Sequence, residues 1–400
     1  MEYFECYQKL KDIFNLSDDV IDIPDSDLII RNFDFISEGI NEELWPPGTL
    51  EKNLITENLK FRYPVLIPHP ESLHRKAIFY LHGLNERNWL KHLPGAMLLA
   101  EKTGNPVILF PLSYHINRGL PEWTDTRRMA GPLEMRRQTY TQLQQASVIN
   151  LPLSERLTER PLRFFTSGYQ SARDLLRLKK QIFEGSHPLF EKGTLTDIFA
   201  YSISCMMMQV LMLSDPEDFL PDTKIAFFAG GSLFSQMNGV SKFIMDNVAF
   251  AGIWHYYREI LSKAGNSVDL KSWFEKNRFG RAFTWMLGYG RYDNEREKSF
   301  QSYHSNLLIM ALKNDSVIPL NGIRQAFGEK FSYSDRIRVV DFPYPYIHEN
   351  PFPVLNRKID HEVDQAFRSV FVPVAEFFNN IKPTLSQSRK IDQKTASLTR

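Results

Sequence analysis

The stretch TLTDIFAYSISCMMMQVLML, residues 194–213, decides how the rest of the chain is read. Leu195, Ile198 and Phe199 make a short apolar run suited to a buried strand. Ala200, Ser202 and Ser204 then stand at alternate positions, and the run to Leu213 contains neither Gly nor Pro, which predicts a helix. A strand, a tight turn of small residues carrying a serine, and a helix make the layout of a nucleophile elbow. Because such a turn is strained, the residues two before and two after the serine must be small. The usual pattern is Gly-x-Ser-x-Gly; here it is Ala200-Tyr201-Ser202-Ile203-Ser204. A serine at a strand–helix junction is also an ordinary helix cap, so the motif needs partners elsewhere. Ser204 is the rival position, but it would make Met206 the second small residue.

Outward from this stretch, strands alternate with helices. Arg75–Leu81 reads as a strand running into His82-Gly83-Leu84. A helix over 94–102 follows, with Pro94 in its first turn and Gly104 as its cap. Pro106–Phe110 is the next strand. Strand, helix, strand at this spacing is a βαβ unit, so the fold class is α/β with a parallel sheet. Residues 113–163 lose periodicity and read as a long functional loop, before a helix over 171–182. Further strands are expected at 223–229, 306–312 and 336–342, a helix at 322–327, and a closing helix over 358–381, kinked or broken near Pro373. Residues 232–303 are helical in pattern and rich in aromatics such as Trp254, Trp273 and Phe283.

Three chemistry-bearing residues fall just past strand ends: Ser202, Asp315 and His348. In a parallel sheet these are carboxyl ends on one edge, where α/β proteins place their sites. A serine hydroxyl needs a base to take its proton. An imidazole does so near its own pKa, and a carboxylate fixes its tautomer and stabilises the imidazolium. Each residue also has a plain structural reading, as a cap, a turn aspartate or a packed loop histidine. Asp341 and Asp246 are alternative acids. Arg118, Arg127 and Arg128 could meet an anionic substrate group, although solvated surface is the commoner role. Cys205 reads as a small core residue.

The order Ser, Asp, His, the elbow, the His82-Gly83 pair and the stretch Asp315-Ser316-Val317-Ile318-Pro319 resemble the α/β-hydrolase superfamily over about residues 61–381. The resemblance implies a mostly parallel sheet flanked by helices, a core of 61–231 and 304–381, and a helical lid inserted at 232–303. Residues 1–60 would add an N-terminal extension and edge strands, and 382–400 a polar tail. It implies an esterase-like serine hydrolase with Ser202 as nucleophile, His348 as base and Asp315 as acid. Backbone N–H groups of Ile203 and Leu84 would form the oxyanion hole, with His82, Tyr201 and His115 about the pocket. A small acyl substrate with an apolar part is expected. A catalytically silent binding protein, or an acyltransferase or peptidase on the same fold, is the alternative.

Composition narrows the rest. A formal net charge of +1 gives no reason to expect a nucleic-acid partner, and two cysteines are too few for a disulfide framework. No basic segment followed by an apolar one opens the sequence, and the apolar run 198–213 is too short to span a bilayer. A cytoplasmic protein is expected. No Walker loop, dinucleotide fingerprint or paired-histidine zinc helix is present, so neither metal nor organic cofactor is expected.

Overall fold

The computed structural model of the chain describes residues 2–40, 45–46, 55–214, 220, 222–262, 268–289, 292–354 and 357–380. The expected polar tail, 382–400, lies outside them. The chain enters through α1 (Tyr3–Ile13), β1 (Val20–Asp22), β2 (Leu28–Ile36), the short α2 (Thr56–Leu59) and β3 (Lys60–Pro68). The βαβ unit follows as β4 (His74–Leu81), α3 (Leu93–Thr103) and β5 (Val107–Leu109). Then come α4 (Thr126–Thr139), α5 (Leu151–Glu159), α6 (Arg163–Glu184), β6 (Phe190–Tyr201), α7 (Ile203–Ser214) and β7 (Ile225–Phe228). Among the described residues, the α-helices between β7 and the next strand are α8 (Asn247–Ser262), α9 (Val268–Lys276), α10 (Arg278–Leu287) and α11 (Asp293–Gln301). The chain closes with β8 (Leu307–Leu312), α12 (Leu320–Phe327), α13 (Glu329–Ser332), β9 (Ile337–Val340) and α14 (Asp360–Asn379).

The strands form one sheet in the order β1-β2-β3-β5-β4-β6-β7-β8-β9. The first three strands and the β3–β5 pair are antiparallel, and from β5 through β4 to β9 all pairs are parallel. This is an α/β-hydrolase fold: a mostly parallel sheet, flanked by helices, with a strand–serine–helix turn at its centre. The central strands are buried on both faces, which is why they read as continuous apolar runs. Ile198 and Ala200 face one core with Phe79 and Phe227, while Phe199 and Tyr201 face the other with Tyr80 and Phe371. Each fully buried ring contributes about 2–3 kcal/mol through apolar area removed from water. Gly95 lets α3 seat against α14: a Cβ there would come within 2.5 Å of the Phe371 ring. The register pairs Leu81 with Ala200, Tyr201 with Phe228, Phe228 with Met310 and Leu312 with Val340, so the carboxyl ends of five strands line up along one edge.

Two expectations need correction. The stretch 113–163 is not a loop but carries α4 and α5, and the helix expected at 171–182 is the C-terminal half of the 22-residue α6. Helix α4 is Arg-rich, holds Pro132 and presents little apolar surface, with only Leu133 and Arg136 buried, so its period is masked. Of the two forms expected near Pro373, kinked or broken, the break does not occur: the closing helix is continuous through it. Among the described residues, no helix is long and apolar enough to cross a membrane.

Candidate active site

Ser202 links β6 directly to α7 and adopts a left-handed φ of +60°. For a residue with a Cβ this conformation costs about 1–2 kcal/mol, and the surroundings hold it there. The Ser202 N–H donates to Phe228 O at 3.1 Å, and its carbonyl accepts from Cys205 N at 3.0 Å. Gly230 lies against the turn: a Cβ there would sit 2.2 Å from Cys205 Sγ and 2.7 Å from Ser202 O. Cys205 is fully buried, and burial pushes its thiol well up, so it packs as a small core residue. Ser204, the departure from glycine, is also fully buried, and its hydroxyl donates to the carbonyl of His82. The elbow is thereby tied to the end of β4.

The three residues from separate strand ends meet. Ser202 Oγ lies 2.6 Å from His348 Nε2, and His348 Nδ1 lies 2.7 Å from Asp315 Oδ2. This network assigns the tautomer with the proton on Nδ1, donated to the carboxylate, and the lone pair of Nε2 facing the serine hydroxyl. The other carboxylate oxygen, Oδ1, accepts from Val317 N and Ile318 N, both at 2.8 Å, which fixes its plane. All three side chains are buried.

The loop carrying His348 is held from three sides. The Tyr201 hydroxyl donates to His348 O, and its ring stacks on the imidazole at 5.8 Å. Burial, with Glu86 nearby, raises the Tyr201 phenol well above its ordinary value, so it remains a donor. Lys91 Nζ donates to Glu349 O at 2.6 Å and pairs with Glu86 at 2.5 Å. Burial opposes ionisation of Glu86, but Lys91 and His92 hold its carboxyl far below the usual range. Ser241, from the segment between β7 and β8, bonds the Glu349 carboxylate.

The N–H groups of Leu84 and Ile203 take part in none of the loop and cap backbone bonds among the described residues. Ile203 opens α7, where the helix dipole favours negative charge. Leu84 and Ile203 also belong to the wall of a cavity of about 90 Å³, several times the roughly 10–15 Å³ that admits one water. Its other walls come from α5, α6, α7 and α10, through side chains including Leu157, Phe164, Met207, Val210 and Phe283. The segment expected as a loop thus covers more of the cavity than the expected lid, which supplies Phe279 and Phe283. Trp273 and Phe274 of that insertion pack on α6 instead, 5.8 and 4.8 Å from the Phe165 ring.

Of the three side chains expected about the pocket, only His115 lines it. His82 is fully buried behind it: Nε2 accepts from Leu112 N at 2.9 Å and Nδ1 donates to Gly83 O at 2.8 Å. Burial, with His115 alongside, pushes His82 well below its ordinary pKa, so it is a neutral strut. Tyr201 faces the opposite core and supports His348. Ser202 is not in the cavity wall either; the cavity meets the elbow at the adjoining Ile203. The alternative acids are engaged elsewhere. Asp246 takes a two-pronged pair from Arg136 at 2.7 and 3.0 Å, and Asp341 is paired with Lys313 at 2.8 Å. Arg118 is fully buried against Asp174 at 2.7 Å, and Arg127 and Arg128 are exposed. Among the described residues, no group of three or more His, Cys, Asp or Glu side chains is arranged to hold a metal.

Sequence reasoning missed Gly230, Ser204's tether, and the Lys91–Glu86 and Ser241 supports. Only Gly230, in the Gly230-Gly231 pair after β7, left a visible signal.

Solved structures with a similar course of chain include a hyperthermophilic esterase from the archaeon Pyrobaculum calidifontis, at 10% identity and TM-score 0.42, covering 86% of this chain and 84% of that one. A thermostable esterase from Pseudomonas putida is similar at 10% identity and TM-score 0.44, covering 92% and 88%. An acylaminoacyl peptidase from Pyrococcus horikoshii is similar at 14% identity and TM-score 0.41, covering 89% of this chain and 42% of that one. No curated protein matches the sequence. Residues 47–379 match the model of a family described as "Family of unknown function (DUF6051)". That match spans most of the chain, and the protein, an α/β-hydrolase by fold, belongs to this family.

Proposed function

We propose that the protein is a serine hydrolase that cleaves an ester or a related acyl bond. The observation that carries this reading is the continuous hydrogen-bonded line Ser202–His348–Asp315, with the serine on a strained turn at the mouth of a helix. Ser202 Oγ attacks the acyl carbon as its proton passes to His348 Nε2. The negative charge on the former carbonyl oxygen is met by the Ile203 and Leu84 N–H groups and the N-terminus of α7. His348 returns the proton to the leaving alcohol, and the acyl group stays on Oγ as an ester. Water, deprotonated by the same imidazole, then releases the carboxylic acid and restores the serine. Asp315 keeps the tautomer and balances the charge on the imidazolium. The apolar cavity beside Ile203 is suited to an apolar acyl part.

One observation favours a catalytically silent binding fold on the same scaffold: Ser202 is only 6% exposed and lies outside the cavity wall. A fluorophosphonate probe decides between the two. It is expected to label the native chain at Ser202 and to spare Ser202→Ala, with ester turnover falling by roughly 10⁴-fold or more in the variant. Equal labelling of the two chains overturns the assignment.

A further inference from the structure

Two residues of the cavity wall each hold a buried polar atom without a partner among the described residues. Ser113 Oγ and His115 Nε2 have no hydrogen-bond partner among the described residues, although Ser113 is fully buried and His115 is 8% exposed. Buried polar groups are normally paired, because leaving one unmade costs its full desolvation. The other serines of this wall obey that rule: Ser167 Oγ donates to Arg163 O and Ser171 Oγ to Ser167 O. The remaining wall is largely apolar.

The segment that presents these atoms is held in an unfavourable conformation. The residues flanking His115 both have left-handed backbones, Tyr114 at φ +66° and Ile116 at +53°. For a β-branched residue such as Ile116 this is a true outlier, and such strain concentrates at functional sites. The surroundings impose it. Ser113 N donates to Ser171 Oγ at 2.8 Å, Tyr114 N to Asn58 Oδ1 at 3.1 Å and Ile116 N to Glu86 O at 3.1 Å. Arg118 N donates to His115 O at 2.8 Å, and Arg156 stacks on the Tyr114 ring at 4.1 Å. Thus the backbone is satisfied while the two side-chain atoms are kept free. His115 Nδ1 donates to Ser113 O at 2.8 Å, which leaves Nε2 as a lone-pair acceptor. Burial lowers this imidazole to about 4, so it stays neutral and accepting at neutral pH.

We infer that Ser113 and His115 form a polar recognition point inside the apolar cavity, and that the acyl group taken there carries a hydrogen-bond donor, a hydroxyl or an amide N–H, on an otherwise apolar chain or ring. The donor faces His115 Nε2, and the Ser113 hydroxyl completes the group's second bond. This rests on the serine-hydrolase reading for the word acyl, but the recognition point is a matter of binding alone.

The test uses matched pairs of 4-nitrophenyl esters in two series. Phenylacetyl and 3-phenylpropanoyl esters carry a ring hydroxyl or, in its place, a ring methyl; straight-chain acyl esters carry an acetamido group or the corresponding ketone. In the native chain at least one donor-bearing member is expected to exceed its mate in kcat/KM by about tenfold or more. In His115→Phe and in Ser113→Ala that ratio is expected to collapse toward one, whichever way the absolute rates move. A merely structural role would lower both members alike and leave the ratio intact. Ser113 Oγ makes no hydrogen bond among the described residues, so Ser113→Ala tests the idea even if His115→Phe does not fold. The same pairs as methyl amides, titrated into Ser202→Ala, read binding without turnover. A donor preference there, with an unreactive Ser202 in the native chain, sinks the hydrolase reading and upholds the recognition point. Equal binding of both members in both series, or a ratio unchanged by the variants, overturns it.

Discussion

Ser204 offers a direct test of how the elbow works. Its hydroxyl donates to the His82 carbonyl, at the root of the loop that carries the Leu84 N–H. Ser204→Ala removes that donor inside a site with no exposure to water, a loss worth about 1–3 kcal/mol. A chain of this length gains roughly 0.8 kcal/mol/K of entropy at its thermal midpoint, so Tm falls by about 1–4 °C. Ser204→Gly loses the same bond and adds roughly 1 kcal/mol of helix propensity in α7, which takes the midpoint about one degree lower. The effect on activity is larger than this suggests. Losing an oxyanion donor outright costs about 10²–10³ in kcat; loosening the loop that carries Leu84, the donor proposed above, should cost about tenfold, with KM little changed. Thermal denaturation and ester turnover on the three chains read both effects, with native > Ala > Gly expected in each. If Ser204→Gly matches or exceeds the native rate at an unchanged Tm, the tether is idle and Ser204 is only a tolerated replacement for glycine.

Asp315→Asn keeps an oxygen for Val317 N and Ile318 N but turns a donor toward His348 Nδ1; the fold should survive while kcat falls by about 10⁴ through the wrong tautomer, measured with a chromogenic ester beside a circular-dichroism melt. Gly230→Ala drives a methyl into Cys205 Sγ and Ser202 O, so it should cost about 1–3 kcal/mol and slow fluorophosphonate labelling of Ser202; unaltered labelling would show that the turn does not depend on this contact. His187 is buried, with Nδ1 accepting from Leu189 N at 3.2 Å, and burial, then Arg31, lowers it to about 4. The unfolded chain therefore binds a proton below pH 6.5 that the folded chain refuses until about pH 4, so this residue makes stability fall with acidification across that window. The stability advantage of the native chain over His187→Gln, from urea denaturation, should shrink by roughly 2 kcal/mol between pH 7 and pH 4.5; a constant difference would contradict the lowered value.

The sequence by itself determined the sheet and the edge on which the site sits. Parallel strands buried on both faces are continuous apolar runs bounded by Gly and Pro, so β4, β5, β6, β7 and β8 could be read from local pattern, and the half-exposed edge strand β9 from its β-branched Ile337, Val339 and Val340. With parallel strands known, every residue just past a strand end falls on one edge, and the order Ser202, Asp315, His348 followed without any knowledge of distance. Helix α4 escaped because, rich in Arg and carrying Pro132, it has little apolar period, and α5 because its nine residues give an apolar face of too few turns to stand out. What only the tertiary structure decided depends on contacts between residues far apart in the chain. That Ser204 reaches the His82 carbonyl is one such contact, and that Arg118 is consumed by Asp174 while Ser113 Oγ and His115 Nε2 find no partner among the described residues is another. No local pattern encodes whether a buried polar atom finds a partner, because the partner is supplied by packing. Even the glycine missing from the elbow became legible only then: the turn tolerates Ser204 because the fold gives its hydroxyl a carbonyl to hold.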